Sequence, residues 1–249
     1  MAPPRMPSYA QRRTDVRAGA VLWRRQVVDG PVAVLPDGCM DLLWLDGRLL
    51  VAGPDTRVHH STGTATTVYG IRFAPGTAPA LLGVRAEELR DRRAEISEVW
   101  HGPQARAMTE LVAGAPDPAR GLEEVARRCA RSAAPPDPLS AQVVRRLRAG
   151  DSVAATAAAL GLGTRRLHRL SVAAFGYGPK TLARILRMEY ALDLARAGTG
   201  WADVAATAGY VDQSHLVREI RALTGRPPGA VLDPHGPAGD TACRGPNAG

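Results

Sequence analysis

The sequence predicts an α+β N-terminal domain, with a small antiparallel or barrel-like sheet and helices, followed by an all-α C-terminal domain. Three observations predict this order. Short apolar runs separated by Asp-Gly pairs fill the first third of the chain, and apolar residues at helical spacing follow. The last hundred residues contain the same sequence pattern in two copies. A chain of 249 residues is also long enough for two domains.

The first third of the chain is predicted to form β-strands. Runs rich in apolar and β-branched residues indicate strands at 19–28, 32–35, 41–44, 48–52 and 66–73. Asp29-Gly30, Asp37-Gly38 and Asp46-Gly47 are expected turns between them. The string WLDGRLLV around Asp46-Gly47 is typical of a tight hairpin.

Helices are predicted after residue 73, because apolar residues then recur at helical spacing. The expected helices cover 76–83, 85–90, 96–100, 104–113 and 119–131. Three prolines and several small residues between 129 and 140 favour a linker. We therefore expect an N-terminal domain at 1–131, a linker at 132–140 and a C-terminal domain at 141–233.

The C-terminal domain is predicted to be a tandem helix-turn-helix. Residues 153–179 and 201–228 each show a short alanine-rich helix, a glycine turn, a second helix with Leu-x-Arg, and then a glycine and a proline. The matching residues are a constant 49 positions apart: Leu167, Arg169, Gly176 and Pro179 in the first copy, and Leu216, Arg218, Gly225 and Pro228 in the second. Small residues on each first helix allow the second helix to cross it closely.

The two copies differ at the start of their second helices. Gly161 and Gly209 are expected in the left-handed conformation that ends each first helix. Asp212 is a strong candidate for the N-cap of the second copy, whereas Gly163 followed by Thr164 gives the first copy a weaker one.

A single connecting helix is predicted between the copies, at 178–198. About 18 residues at about 1.5 Å each give a rod of about 27 Å. That length is of the order needed to hold two helices one turn of B-DNA, roughly 34 Å, apart.

The outward residues of the two second helices are hydrogen-bonding types, which suits contact with base edges and phosphates. The other interpretation is that these residues form an ordinary solvated helix face. Contact with DNA is favoured, because the pattern occurs twice at a constant offset. The candidate DNA-binding residues are Thr164, Arg165, Arg166, His168 and Arg169 in the first copy, and Gln213, Ser214, His215, Arg218 and Arg221 in the second.

The charge distribution agrees with a nucleic-acid partner. The chain carries a net charge of +8. Residues 140–233 hold 13 basic and 7 acidic residues, a difference of +6, so most of the excess lies in the tandem region. Positive surface supplies the salt-sensitive part of nucleic-acid affinity. A GC-rich genome would also enrich arginine, so the placement of the arginines matters more than their number.

Residues 141–232 resemble the DNA-binding domain of AraC/XylS-type transcriptional regulators. The resemblance is carried by RRLHR, LARILRMEYALDLAR and AGYVDQSHLVREIRALTGRPP. It implies a seven-helix reader with two subdomains, in which Arg165, Arg166, Arg169, Gln213, Ser214, His215 and Arg218 face DNA. Where the family usually has aromatic core residues, this chain has Ser171 and Ile220. Ser171 places a hydroxyl at a position expected to be apolar, which would loosen the first subdomain unless Phe175 fills the space.

The N-terminal strings LPDGCMDLLW, VAGPDT and GIRFAPGTAPALLG resemble an uncharacterised domain found ahead of AraC-type DNA-binding domains. That resemblance implies a sensor or dimerisation module. A sheet backed by helices can enclose an apolar pocket for an effector. Candidate pocket residues are Trp23, Cys39, Trp44, Tyr69, Phe73 and Trp100, and the alternative is that the aromatic ones simply fill the core.

A metal site is one interpretation of the same domain, because zinc and iron take His, Cys and carboxylate ligands. The candidate ligands are Asp37, Asp41, Cys39, His59, His60 and His101. The simpler interpretation is a turn at Asp37-Gly38, a small core residue at Cys39 and a His pair in a polar loop. A redox role for Cys39 is disfavoured by the mostly apolar residues 40–44, because apolar surroundings tend to raise a thiol pKa. We expect no metal and no cofactor.

The predicted function is a sequence-specific DNA-binding transcriptional regulator that is not an enzyme. The alternative is a metal-dependent or DNA-repair enzyme in the N-terminal domain, with the tandem motif as a targeting arm. The sequence shows no P-loop, HExxH, clustered cysteines or Ser-His-Asp constellation to support it.

Double-stranded DNA is the expected partner, and RNA polymerase and a small-molecule effector are further candidates. The expected oligomeric state is a monomer or a homodimer. Without a membrane-length apolar run or a signal peptide we expect a cytoplasmic protein with no membrane partner. The Gly- and Pro-rich residues 234–249 are expected to be a flexible tail.

Overall fold

The structure is a computed structural model that describes residues 9–16, 19–27, 30–63 and 65–232. Asp29 of the expected Asp29-Gly30 turn and the expected tail at 234–249 lie outside the described residues.

The N-terminal part of the chain contains two antiparallel sheets. The larger is an open sheet of six strands, in the order β1 (Tyr9–Arg13), β2 (Val21–Val27), β7 (Thr66–Phe73), β4 (Met40–Leu45), β5 (Arg48–Ala52) and β8 (Arg93–Glu95). The smaller pairs β3 (Gly30–Val34) with β6 (His59–Gly63). All five predicted strands are confirmed. Strands β1, β6 and β8 were not predicted, and the interpretation of His59 and His60 as loop residues was wrong because both lie in β6.

The predicted tight hairpin joins β4 to β5. Asp46 and Gly47 both have positive φ angles, 48° and 77°, and Leu45 pairs with Arg48. Two left-handed residues between paired strands match the twist of a two-residue hairpin. The Asp-Gly pair therefore determined this turn locally.

One face of the six-stranded sheet forms the N-terminal core. Leu22, Ile71, Leu42 and Val51 are aligned across four neighbouring strands, and all four are buried. Helices cover this face, as predicted: α1 (Ala78–Leu82), a 3₁₀ turn (Ala86–Glu88), α2 (Ile96–Val99), α3 (Gly102–Ala113) and α4 (Pro118–Ser132). Strands followed by helices on one sheet give the predicted α+β architecture.

Seven helices follow among the described residues, the number that the resemblance implied. They are α5 (Pro138–Arg148), α6 (Val153–Ala159), α7 (Thr164–Phe175), α8 (Pro179–Arg196), α9 (Trp201–Thr207), α10 (Gln213–Thr224) and α11 (Pro228–Leu232). Gly161 and Gly209 take the expected left-handed conformation after α6 and α9, with φ angles of 63° and 73°. Two helix-turn-helix units joined by α8 are thus confirmed.

The core of the helical region is built around α8. Leu182, Ile185 and Met188 on this helix are fully buried, and Leu167 of α7 and Leu216 of α10 pack into the same cluster. Ala33 and Leu35, which come from β3 and the residue after it, belong to this cluster as well. The helical region therefore shares its core with the small sheet, which the sequence did not predict.

Ser171 is the predicted irregularity in the first unit, and it is fully buried. Its hydroxyl has no hydrogen-bond partner in the described part of the chain. Phe175 is buried in the same core cluster as Leu167, and its ring also reaches Gly76, where a Cβ atom would lie 2.6 Å from the ring. The first unit thus keeps an unpaired polar group in its core and directs its aromatic ring toward the N-terminal region.

No helix in the described ranges combines the length and the apolar character that a membrane crossing requires.

Candidate nucleic-acid interface

The second helix of each helix-turn-helix, α7 or α10, is called a reading helix below. All five candidate residues of the first reading helix are exposed: Thr164, Arg165, Arg166, His168 and Arg169. In the second, Gln213, Ser214, Arg218 and Arg221 are exposed and His215 is half-buried. Leu167 and Leu216, at equivalent positions, are fully buried. Each reading helix therefore turns its apolar side to the core and its hydrogen-bonding side outward.

The N-termini of the reading helices differ as the sequence predicted. The Asp212 carboxylate accepts a hydrogen bond of 2.6 Å from the His215 amide. Gly163 occupies the same place in the first unit and offers no side-chain cap. An N-cap satisfies one of the orphan amides of the first turn, so the second reading helix has the better fixed start.

His215 has a partner within its own unit. Its Nδ1 accepts a 3.3 Å hydrogen bond from the Val211 amide, and its ring meets the edge of the Tyr210 ring at a centroid distance of 5.3 Å. The side chain thus supports the turn before the helix, which leaves Nε2 as the nitrogen available to another group.

Val211 is a surface residue next to the second reading helix that was not among the predicted site residues. It is 88% exposed, and it directly precedes the N-cap of the second reading helix. An apolar side chain beside a reading helix is able to contact a thymine methyl group. The sequence signal for this residue is an apolar side chain in the predicted turn, directly before the N-cap candidate Asp212.

The second reading helix is tied to the connecting helix α8 by charged contacts. Arg184 of α8 donates hydrogen bonds of 2.7 and 3.3 Å to the Glu219 carboxylate on α10. Arg187, one turn further along α8, lies 4.8 Å from the centre of the Tyr210 ring. Burial raises the pKa of the Tyr210 hydroxyl to about 12, and the charge of Arg187 opposes this shift. These contacts orient the second unit on the connecting helix.

The first reading helix lies against the N-terminal region. A groove of about 480 Å³ separates α7 from α1, with Arg166 and Arg169 on one wall and Pro79, Ala80 and Arg85 on the other. Arg166 and Arg169, two candidate DNA-binding residues, therefore also lie next to α1 and Arg85 of the N-terminal region.

The six candidate pocket residues do not line one cavity. Trp44, Tyr69, Phe73 and Trp100 pack in the core between the six-stranded sheet and its helices. The Trp100 indole is fixed there by donating a 2.8 Å hydrogen bond to the Leu82 carbonyl. Trp23, on the other sheet face, donates a 2.7 Å hydrogen bond to Asp41, and Cys39 is buried in the loop before β4. The effector-pocket assignment stays a prediction, and four of its residues have a packing role.

Asp37 and Asp41, considered above as metal ligands, are paired with an arginine. The Arg72 Nε atom lies 3.3 Å from an oxygen of each carboxylate, and all three residues are buried. Burial raises the pKa of Asp41, and its charge is partly offset by Arg72. Across the described ranges, no three His, Cys, Asp or Glu side chains are grouped so that they could hold a metal ion.

Comparison with known families identifies two regions of the chain. Residues 142–233 match the model of a helix-turn-helix domain family, and residues 20–95 match a domain of unknown function, DUF6597. No curated protein matches the chain.

Three solved structures are similar to parts or most of the chain. A probable AraC family transcriptional regulator from Rhodopseudomonas palustris CGA009 is 21% identical, with 40% of this chain and 99% of that chain covered and a TM-score of 0.34. ToxT from Vibrio cholerae O395 is 9% identical, with 91% and 98% covered and a TM-score of 0.47. Unsaturated fatty acid bound ToxT from Vibrio cholerae strain SCE256 is 10% identical, with 91% and 95% covered and a TM-score of 0.47.

Both helix-turn-helix units of this chain lie within the matched residues 142–233, and this region is therefore a helix-turn-helix domain.

Proposed function

We propose that the chain is a sequence-specific transcription regulator that inserts its two reading helices into successive major grooves of one DNA duplex. The observation that carries this proposal is the equivalence of the two outward faces. Both expose hydrogen-bonding residues, and both belong to one core organised by α8. At 18 residues, α8 has a length of about 27 Å, close to one turn of B-DNA.

A single chain then reads an extended site without two-fold symmetry, because its two reading helices differ in sequence. Arg165, Arg166 and Arg169 give the first helix more charge, and Gln213 and Ser214 give the second helix groups that discriminate between bases. Activation through RNA polymerase and repression use the same DNA-reading surface, so the sign of regulation depends on where the site lies.

We also propose the domain division that the sequence predicted: a sensor or dimerisation domain at 1–131, a linker at 132–140, and a DNA-binding domain at 141–233. The segment between α4 and α5 supports a linker, since residues 133–137 lie outside both helices. The groove between α1 and α7 supports an effector role. The groove is open to solvent, and a small molecule bound in it would contact both proposed domains.

The DNA proposal is tested by selecting binding sites from a random duplex library with the full chain, followed by mobility-shift titration at physiological salt. We expect the selected site to bind at least about a thousandfold more tightly than competitor DNA. Equal affinity for selected and competitor DNA would refute the proposal.

The effector role is tested separately by native mass spectrometry of the freshly purified chain. A co-purified small molecule that is lost from a Leu170→Trp variant, whose larger side chain would fill the groove, supports the proposed location. The same molecule retained in that variant would place the effector elsewhere.

A further inference from the structure

The loop between β5 and β6 contacts both halves of the helix-turn-helix domain. The residues concerned run from Gly53 to Val58 and are called the bridging loop below. It includes residues 53–56 of the VAGPDT string, which has no other role in the proposed function.

The bridging loop is firmly fixed in the N-terminal domain. The buried Asp55 carboxylate accepts hydrogen bonds of 2.9 and 2.7 Å from Arg93. The Thr56 amide donates a 2.7 Å hydrogen bond to Asp91. Gly53 lies so close to the Leu89 backbone that a Cβ atom there would be 1.7 Å from the Leu89 carbonyl oxygen. The loop is therefore a rigid projection of the N-terminal domain.

One end of the loop meets the second reading helix. The Val58 amide donates a 2.8 Å hydrogen bond to the Leu223 carbonyl in the last turn of α10. The last carbonyls of a helix have no partner within the helix, so this bond supplies one from another domain. The Val58 side chain also packs next to Gly225, which ends α10.

The other end of the loop meets the first reading helix. Gly176 ends α7 with a φ angle of 80°, and a Cβ atom there would lie 2.6 Å from the Pro54 ring. Next to this contact, Arg90 donates a 3.2 Å hydrogen bond to the Gly176 carbonyl. Arg90 is the residue after Leu89, whose backbone is in close contact with Gly53.

The two contacted positions are equivalent in the repeat. Gly176 and Gly225 are 49 residues apart, and each is the left-handed glycine that ends a reading helix. One loop of the N-terminal domain thus touches the same end of both reading helices. A rigid body attached at two equivalent points fixes the distance and the rotation between them.

We propose that the bridging loop, acting together with α8, fixes the separation of the two reading helices and thereby the DNA spacing that the chain accepts between its two subsites. This inference rests on the proposed function. Inserting one base pair moves a subsite by about 3.4 Å along the duplex and rotates it by roughly a tenth of a turn. A fixed pair of helices loses one set of base contacts on such a site, whereas a loosely joined pair adjusts to it.

The test uses the full chain and its selected site, together with versions of that site that have one base pair inserted or removed between the subsites. The main variant combines Val58→Pro, which removes the amide donor to Leu223, with Arg90→Ala. Arg92→Ala is the matched control, because Arg92 bonds to Glu98 within its own domain. Circular dichroism and thermal unfolding establish that each variant folds.

We expect the unmodified chain and the Arg92→Ala control to bind the altered sites about tenfold or more weakly, the loss typical of one poorly matched contact. The double variant should lose no more than about threefold on the altered sites while keeping its preference for the bases of each subsite. If the double variant fails to fold, Arg90→Ala alone serves, since Arg90 is exposed, and an intermediate loss is expected.

The possible failures are distinguishable. A folded variant with the spacing preference of the unmodified chain overturns the inference, and so does an unmodified chain that reads sequence but tolerates altered spacing. An unmodified chain without any sequence preference overturns the proposed function itself.

Discussion

Arg72 and Asp41 face each other across the neighbouring strands β7 and β4, with 3.3 Å between the Arg72 Nε atom and a carboxylate oxygen. Asp37, in the loop before β4, lies at the same distance from that atom. One buried cation thus holds two buried carboxylates, and the Trp23 ring lies 5.8 Å from its guanidinium carbon. This pairing gives the LPDGCMD string a structural role where a metal site was one of the interpretations.

Replacing Arg72 by Met should destabilise the chain by about 3–5 kcal/mol, because two buried carboxylates lose their counter-charge. Urea unfolding at pH 7 measures the change. Adding Asp37→Asn and Asp41→Asn to the same variant should restore part of the loss. Arg48→Met, which removes an exposed ion pair with Glu95, should change stability by no more than about 0.5 kcal/mol. An equal loss for both arginines would contradict this role.

Glu189 should make the chain less stable as the pH rises. Its side chain on α8 is only 13% exposed, and its nearest cation, Arg148 on α5, is 4.0 Å away. Burial raises the pKa of Glu189 well above its ordinary value of 4.5, and the charge of Asp37 raises it further. Asp193 acts in the same direction, whereas Arg148 and Arg72 oppose it.

A carboxyl whose pKa is raised by folding is protonated more readily in the folded state. Its stabilising contribution is therefore complete below pH 4.5 and is lost as the pH rises through the folded pKa. Between pH 5 and 8, Glu189→Gln should reduce the fall in unfolding free energy by at least about 1 kcal/mol. Glu124→Gln is the control, because neighbouring arginines lower the pKa of that exposed carboxyl. Identical pH profiles for unmodified chain and Glu189→Gln would show that Glu189 does not titrate in this range.

Arg166→Ala and Arg218→Ala should each weaken binding to the selected DNA site by about 1–3 kcal/mol if these side chains contact bases. Both are exposed on the outward faces of the reading helices. Mobility-shift titration against selected and competitor DNA gives the specificity ratio. Arg120→Ala, an exposed arginine on α4 in the N-terminal domain, is the control. An unchanged ratio for both variants would mean that other residues read the bases.

The two N-caps should respond in opposite directions to substitution. Asp212→Ala should cost about 1 kcal/mol, because the His215 amide loses its acceptor. Gly163→Ser should add about 0.5 kcal/mol, since Gly163 already has an extended backbone and open space around it. Thermal unfolding of both variants measures the effects. Destabilisation by Gly163→Ser would show that the first reading helix requires glycine at its start.

Ser171→Ala should stabilise the chain by about 1 kcal/mol, because it removes a buried hydroxyl that has no partner in the described part of the chain. Thr224→Val provides the contrast and should destabilise the chain. The Thr224 hydroxyl donates a 2.8 Å hydrogen bond to the Ile220 carbonyl, and this variant loses that bond. Denaturant unfolding distinguishes the two. A loss of stability in Ser171→Ala would indicate that the hydroxyl has a bound partner.

Repetition and periodicity were sufficient to predict the helical domain. The matching residues 49 positions apart, the glycines at 161 and 209 and the cap at Asp212 specify local geometry, so each could be assigned without knowledge of the fold. The Asp46-Gly47 hairpin was predictable for the same reason. Strands β1, β6 and β8 were missed because they are short or polar and form through backbone pairing with a neighbouring strand, which leaves no apolar alternation to detect.

The sequence by itself determined that strands precede helices, and it determined the two helix-turn-helix units and the hydrogen-bonding faces of the reading helices. These follow from residue propensities and from spacings within a few turns of chain. Only the tertiary structure decided that Arg72 neutralises Asp37 and Asp41, that Ala33 and Leu35 complete the core of the helical domain, and that the bridging loop joins Gly176 to Gly225. Each of these contacts links residues far apart in the chain, and their pairing depends on how the sheets and helices pack rather than on any local pattern.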